Sequence, residues 1–154
     1  MISIRKAERF DAEQIFEIRS RAIFEKCSRH YSPDVLDVWA GGSLSNEFID
    51  LVETGFFVAI KNNNVIASGM IDMESGAIDG IFVDPEFMGC GAAKLMMKHL
   101  ESIAVTTGIN QLKLDSTLNA VEFYRSCGFE GDRVSTYRSP RGIELECVPM
   151  VKIL

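Results

Sequence analysis

The stretch VDPEFMGCGAAKLM, Val83 to Met96, joins a strand-like apolar run to a helix-like one through a proline and two closely spaced glycines. Pro85 has no amide proton and readily ends a strand ladder, whereas Gly89 and Gly91 permit tight backbone geometry and close approach by a ligand. A helix beginning directly after them exposes its unpaired first-turn amides. Those amides, together with the helix dipole, can cradle a pyrophosphate. The same residues also suit a turn that only connects a strand with a helix. Two familiar phosphate motifs are excluded. A dinucleotide fingerprint would need a glycine where Lys94 stands, and the segment lacks the glycine-lysine-hydroxyl ending of a nucleotide-triphosphate loop.

The flanking chain alternates between two periodicities. Ile2 and Ile4 alternate with polar residues as a short strand, and Ile15, Ile18, Ala22 and Ile23 favour a helix to about Cys27. Asp11 with Gln14 reads as the start of that helix, and Phe10 with Ile15 stands at staple positions. Two short helices are expected around Gly41-Gly42, the first capped by Ser32 ahead of Pro33. FFVAI and VIASGMIDM flank KNNN as a hairpin, and AIDGIFV supplies another strand. From Gly91 to Thr107, Ala92, Leu95, Met96, Leu100 and Ile103 recur at helical spacing, leaving Lys98 and Glu101 for an exposed face.

QLKLDS then returns to period two and NAVEFYRSC to a helix, with Asn119 and Glu122 as a capping box and Gly128 in the left-handed position beyond it. FEGDRVSTYR and IELECVPMVKI read as two last strands around SPRG, with Pro149 marking an edge or a bulge. This order predicts a mixed α/β or α+β domain, unlike a regular doubly wound sheet. The 154 residues suit a single domain over 1–154 that buries about two-thirds of its unfolded surface.

Asp and Glu outnumber Lys and Arg by 22 to 16, a net charge of -6 with scattered cations, which argues against a nucleic-acid partner. The opening MISIRKAERFD lacks the apolar core of a signal peptide, and no apolar run approaches the roughly 18 residues of a membrane span. These features predict a cytoplasmic protein with no membrane partner. Cys27, Cys90, Cys127 and Cys147 stand far apart, as reduced thiols do, and no metal site is expected. His99, among Met96, Leu100 and Ile103, reads as a helix-core boundary.

Two separated segments, VDPEFMGCGAAKLM and NAVEFYRSCGF, closely resemble motifs of the GCN5-related N-acetyltransferase family in order, spacing and intervening strand. The resemblance extends over nearly the full chain. It implies a mostly antiparallel central sheet of six or seven strands flanked by helices, with acetyl-coenzyme A as acyl-donor cosubstrate. The implied reaction is direct transfer of acetyl to a primary amine of a small molecule or peptide, through a ternary complex. The family's loop places Gln or Arg, then glycine three positions on, then Gly or Ala two beyond. This chain has Met88, Gly91 and Ala93, and methionine cannot donate a hydrogen bond to phosphate.

The resemblance therefore rests phosphate recognition on backbone amides from Gly89 to Ala93 (Gly89, Cys90, Gly91, Ala92, Ala93), with Met88 opening the loop and Lys94 adding charge. It places the main chain of Ile81, Phe82 and Val83 beside the thioester, while alternation gives Ile81 and Val83 one face and Phe82 the other. Cys90 reads as a small loop residue, or alternatively as a reactive thiol at a helix start. Tyr124 occupies the family's motif tyrosine and would protonate the departing sulfur, although its ring also suits packing. Asn119 would bind the pantetheine arm, cap a helix, or do both.

Asp79 would handle the acceptor ammonium, or is simply a polar strand residue. His30 offers an imidazole for proton transfer near the acceptor, or lies in an exposed loop. Tyr31 and Trp39 would line the acceptor pocket, with packing as the alternative for each. A homodimer through a late edge strand is compatible with the pattern. The competing function is a catalytically inactive acyl-coenzyme A-binding regulator, consistent with Met88 at a position the family gives to a donor.

Overall fold

The computed structural model describes residues 1–138 and 142–154. Its elements run β1 (Ser3–Lys6), α1 (Ala12–Lys26), α2 (Pro33–Ala40), α3 (Asn46–Gly55), β2 (Phe56–Lys61), β3 (Asn64–Ile71) and β4 (Ile78–Val83), then α4 (Ala92–Thr107), β5 (Gln111–Ser116), α5 (Val121–Ser126), β6 (Ser135–Arg138) and β7 (Glu144–Ile153). The seven strands form two antiparallel sheets, ordered β1-β2-β3-β4 and β5-β7-β6. The mixed α/β architecture is thus the one expected.

Local chemistry accounts for many boundaries. Ser32 Oγ accepts from the Val35 amide at 3.3 Å to cap α2, and Ser45 Oγ accepts from Phe48 at 3.1 Å to cap α3. The KNNN hairpin turns on Asn62 and Asn63 at φ 51° and 64°, the positive pair a two-residue type I′ turn requires. Gly128, at φ 96°, follows α5 as expected.

Three local expectations are corrected by competing partners. Asp11 does not cap α1 with Gln14: buried, it takes both forks of Arg5 at 2.8 and 2.9 Å and the Glu8 amide at 2.8 Å. Burial opposes ionisation of Asp11, but these hydrogen bonds and the Arg5 charge together hold its carboxyl below the usual range. Phe10 is 73% exposed beneath the Arg5 guanidinium, so no staple forms with the buried Ile15. The Asn119–Glu122 box is also absent, because Glu122 pairs with Arg125 at 2.6 Å while Asn119 turns to α1.

α1 and α3 cover one face of the first sheet and α4 the other. The apolar stripe of α4 is rotated from its expected centre: Met97 and Ala104 are buried with Ala92, Met96 and Leu100, whereas Leu95 is 36% exposed. Fully burying Met96, Met97 and Leu100 stabilises the fold by about 1.5–3 kcal/mol each. His99 packs edge-on against Phe57 with centroids 5.1 Å apart. Ile81 and Val83 join the α4 side and Phe82 the α1 side, as the alternation predicts.

β7 lies between β5 and β6, so Pro149 is not on an edge strand. It does mark an irregularity. The pairing slips by one residue between Ser135–Cys147 and the isolated Glu130–Val151 bridge, and Pro149 sits in that interruption. The expected strand over FEGDRVSTYR is correspondingly confined to Ser135–Arg138. The turn expected at SPRG lies, for residues 139–141, outside the described residues. Among the described residues the four cysteines are free, no helix is long and apolar enough to cross a membrane, and no metal-binding cluster of His, Cys, Asp or Glu gathers.

Between the sheets, among the described residues, one isolated parallel bridge joins Ala77, the residue before β4, to Lys113 of β5. Beyond it the strands part, and this split positions the site.

Candidate active site

The split opens into a cavity of about 690 Å³, walled by α1, β4, the loop into α4, the turn after β5, α5 and β7. Its floor follows from strand pairing. The Asp84 amide donates to Ile66 O at 2.8 Å, so counting back by twos turns the backbone groups of Phe82 and Gly80 toward β3. The amides and carbonyls of Ile81 and Val83 therefore face the gap.

The loop into α4 is tied down at its start. Asp84 takes Arg21 at 3.1 Å and the Glu86 amide at 3.0 Å, which sets Pro85–Phe87 into a short 3-10 turn. Gly89 and Gly91 follow at φ 80° and 89°, in the left-handed region that side chains rarely adopt. A Cβ at either would meet nothing within 4 Å, so the space beside both is open. Gly91 O accepts the first helical hydrogen bond, from Leu95 at 3.1 Å. Among the described residues the amides from Gly89 to Lys94 have no partner within the chain. They converge at the amino end of the 16-residue α4, where the helix dipole favours an anion.

Tyr124 stands on the opposite wall, 6% exposed, its ring edge-on to Phe123 and Phe129 at 5.2 and 5.9 Å. Burial pushes its phenol up to about 12, and a backbone hydrogen bond from Ile81 pulls back only part of that rise. The hydroxyl therefore meets the strand at the residue whose amide faces the gap, and it keeps its proton at neutral pH.

Asp79 owes its placement to a β-bulge. The pairs Met70–Gly80 and Ile71–Ile78 leave it as the extra residue of β4, and bulges re-aim side chains. Asp79 lines the cavity and also a second groove of about 470 Å³ beyond the split. Crowding by protein raises the Asp79 carboxyl above its usual range, against an opposing pull from Arg19. The group remains open to solvent through the cavity it lines.

Most of the expected site residues meet here. Tyr31, Trp39, Asp79, Ile81, Phe82, Val83, Met88, Gly89, Gly91, Ala92, Ala93, Lys94, Asn119 and Tyr124 all line the cavity. Two do not. Cys90 packs against the apolar cluster around α4, and His30 lies exposed on the turn after α1, its amide on Cys27 O at 3.0 Å. Tyr31 does more than line the wall, since its ring meets Trp39 at 5.3 Å and its hydroxyl is engaged on both sides. Several cavity residues escape a reading by motif, notably Arg19 and Lys26 on α1, Cys27 just after it, Thr117, Tyr137 and Glu146. Only the shared helical face of Arg19, Ala22 and Lys26 carried a local signal.

A model of the acetyltransferase (GNAT) family matches residues 12–129. Among curated relatives, the uncharacterized N-acetyltransferase YafP of Escherichia coli K12 is 31% identical over 129 residues, covering 84% of this chain and 81% of that protein. A GCN5-related N-acetyltransferase structure from Rhodopseudomonas palustris superposes with a TM-score of 0.90 at 21% identity, over 99% of this chain and 95% of the other. The PaiA N-acetyltransferase of Thermoplasma acidophilum, solved in complex with coenzyme A, gives 0.74 at 17% identity over 100% and 99% of the two chains.

Proposed function

The chain belongs to the GNAT acetyltransferase family, and from that premise we propose that it transfers acetyl from acetyl-coenzyme A directly to a primary amine of a small molecule or peptide. The observation that carries this reading is one cavity holding three features: unpartnered amides at the start of α4, gap-facing backbone groups on β4, and the protonated Tyr124 phenol. The bound coenzyme A in the Thermoplasma PaiA structure supports the same ligand class.

Each group has a chemical task. The amides from Gly89 to Lys94 hold the diphosphate, and Asn119 with the Ile81 and Val83 backbone lies along the arm. Asp79 attracts the acceptor as an ammonium, which must lose a proton before its lone pair can attack. The N–C bond then forms as the C–S bond breaks. Tyr124 donates a hydrogen bond to the departing thiolate, which takes up the proton that the acylated nitrogen releases through solvent. Complete transfer from the phenol would run uphill by a factor of about three thousand, since a thiol titrates near 8.5.

The deciding experiment is thiol release from acetyl-coenzyme A across small amines and peptide amines, with mass identification of the product. Absence of saturable acetyl-coenzyme A binding would overturn the proposal. Binding without thiol release to any acceptor would favour the regulator.

Two expected outcomes refine it. Asp79→Asn should raise the acceptor KM about tenfold, roughly the 1.4 kcal/mol of one lost charge interaction, and leave acetyl-coenzyme A affinity unchanged. Because the folded carboxyl is raised, ionised Asp79 disfavours the fold once pH exceeds the ordinary aspartate range. The variant should therefore melt no lower than wild type at pH 7. A lower melting temperature with unchanged KM would remove Asp79 from the site.

Met88→Arg should tighten acetyl-coenzyme A binding about fivefold by calorimetry. It adds a charged donor at a position 48% exposed to solvent, where screening limits the gain to about 1 kcal/mol. Equal affinities would mean the diphosphate lies out of reach of residue 88.

A further inference from the structure

The connection between α1 and α2 reaches over the cavity and grips the turn after β5 at two points. Tyr31 Oη accepts from the Leu118 amide at 3.2 Å and donates to Glu146 O at 2.5 Å. One residue on, Cys27 Sγ donates to Asn119 Oδ1 at 3.4 Å, joining positions 92 residues apart in the chain. Cys27 is 3% exposed, and both it and Asn119 line the cavity.

A carboxamide is an acceptor at one end and a double donor at the other. With Oδ1 held by Cys27, Asn119 Nδ2 has no partner among the described residues. The arm of a coenzyme A thioester carries amide carbonyls that need such donors. A freely rotating Asn119 would offer them its oxygen in one of its two orientations, so fixing the orientation in advance removes a cost of binding.

We propose that Cys27 is a positioning residue for the thioester carrier: its thiol turns the Asn119 carboxamide so that Nδ2 is presented to the carrier's arm. This rests on the transferase reading above. Burial pushes the Cys27 thiol up to about 11, so the donor persists throughout the neutral range. Tyr31 acts beside it by holding the backbone of the same turn.

The test compares two ligands by calorimetry, acetyl-coenzyme A and 3′-phospho-ADP, which shares the diphosphate but lacks the arm. Cys27→Ala should weaken acetyl-coenzyme A about fivefold, the scale of one neutral hydrogen bond, and leave 3′-phospho-ADP unchanged. Cys27→Ser, which keeps a donor, should bind acetyl-coenzyme A within about twofold of wild type. In an Asn119→Ala background, Cys27→Ala should cost nothing further.

Equal weakening of both ligands, failure of serine to restore binding, or a full loss in the Asn119→Ala background would each overturn the latch and leave the transferase reading standing. Failure of the wild type to bind acetyl-coenzyme A would overturn both. Should the alanine variant not fold, Cys27→Val provides the donor-free comparison.

Discussion

Tyr124→Phe is expected to lower kcat about 100-fold while leaving acetyl-coenzyme A affinity within about twofold of wild type, the signature of a donor used only in the transition state. The ring environment hardly changes, because phenylalanine keeps both edge-on contacts with Phe123 and Phe129. What disappears is one hydroxyl in a buried wall beside Ile81. Before reaction the thioester sulfur is a poor acceptor. As the C–S bond lengthens it gains a full charge, so the hydrogen bond strengthens along the reaction and its loss falls on kcat.

The pH dependence distinguishes a hydrogen-bond donor from a full proton donor. The folded phenol is raised to about 12, against about 10 in an unfolded chain, so it remains protonated until pH rises through the higher value. Activity should therefore climb with pH as the acceptor amine loses its proton, with no falling limb from Tyr124 below about pH 11. Stability runs the other way: above about pH 10 the unfolded chain ionises this tyrosine first, and the fold weakens toward 12. Rate profiles of wild type and Tyr124→Phe would be compared up to the onset of unfolding. A variant within threefold of wild-type kcat would remove Tyr124 from the chemistry, and a falling limb near pH 9 present only in wild type would restore full proton transfer.

Which parts of this site can be read from the chain follows the range of the forces that build it. The Asn62-Asn63 turn, the Ser32 cap and the left-handed glycines before α4 are decided within a few residues, and each is legible as a local pattern. Asp11 and Asn119 show the limit. Both occupy good capping positions, yet Arg5 and Cys27 offer partners that no local pattern reveals. The α1 wall of the cavity is hidden for the same reason, since it forms only when Cys27 and Tyr31 meet the turn at Leu118 and Asn119. Asp79 is an intermediate case. Its strand is legible, but the bulge that aims it depends on the register with β3. His30 takes the exposed-loop alternative, because the turn after α1 carries it outward while its neighbour Tyr31 lines the cavity.

Gly91→Val should weaken acetyl-coenzyme A binding about 100-fold, roughly 2.7 kcal/mol, because the cradle depends on a backbone conformation that valine resists. At φ 89°, Gly91 sets the turn from which α4, with its unpartnered first amides, starts at the cavity wall. A β-branched residue is a genuine outlier there, and leaving the left-handed region rotates the peptides to which the proposal assigns the diphosphate. The introduced side chain also projects into space free of protein atoms within 4 Å, where the ligand must approach. The strain alone costs about 1–2 kcal/mol of stability, a fall of a few degrees in Tm for a chain of this size. Gly108 supplies the control, since it lies at φ 87° at the other end of the same helix, with equally open space. Gly108→Val should lose similar stability with cofactor affinity intact. If the two variants bound acetyl-coenzyme A equally well, the anion would not sit on the first turn of α4.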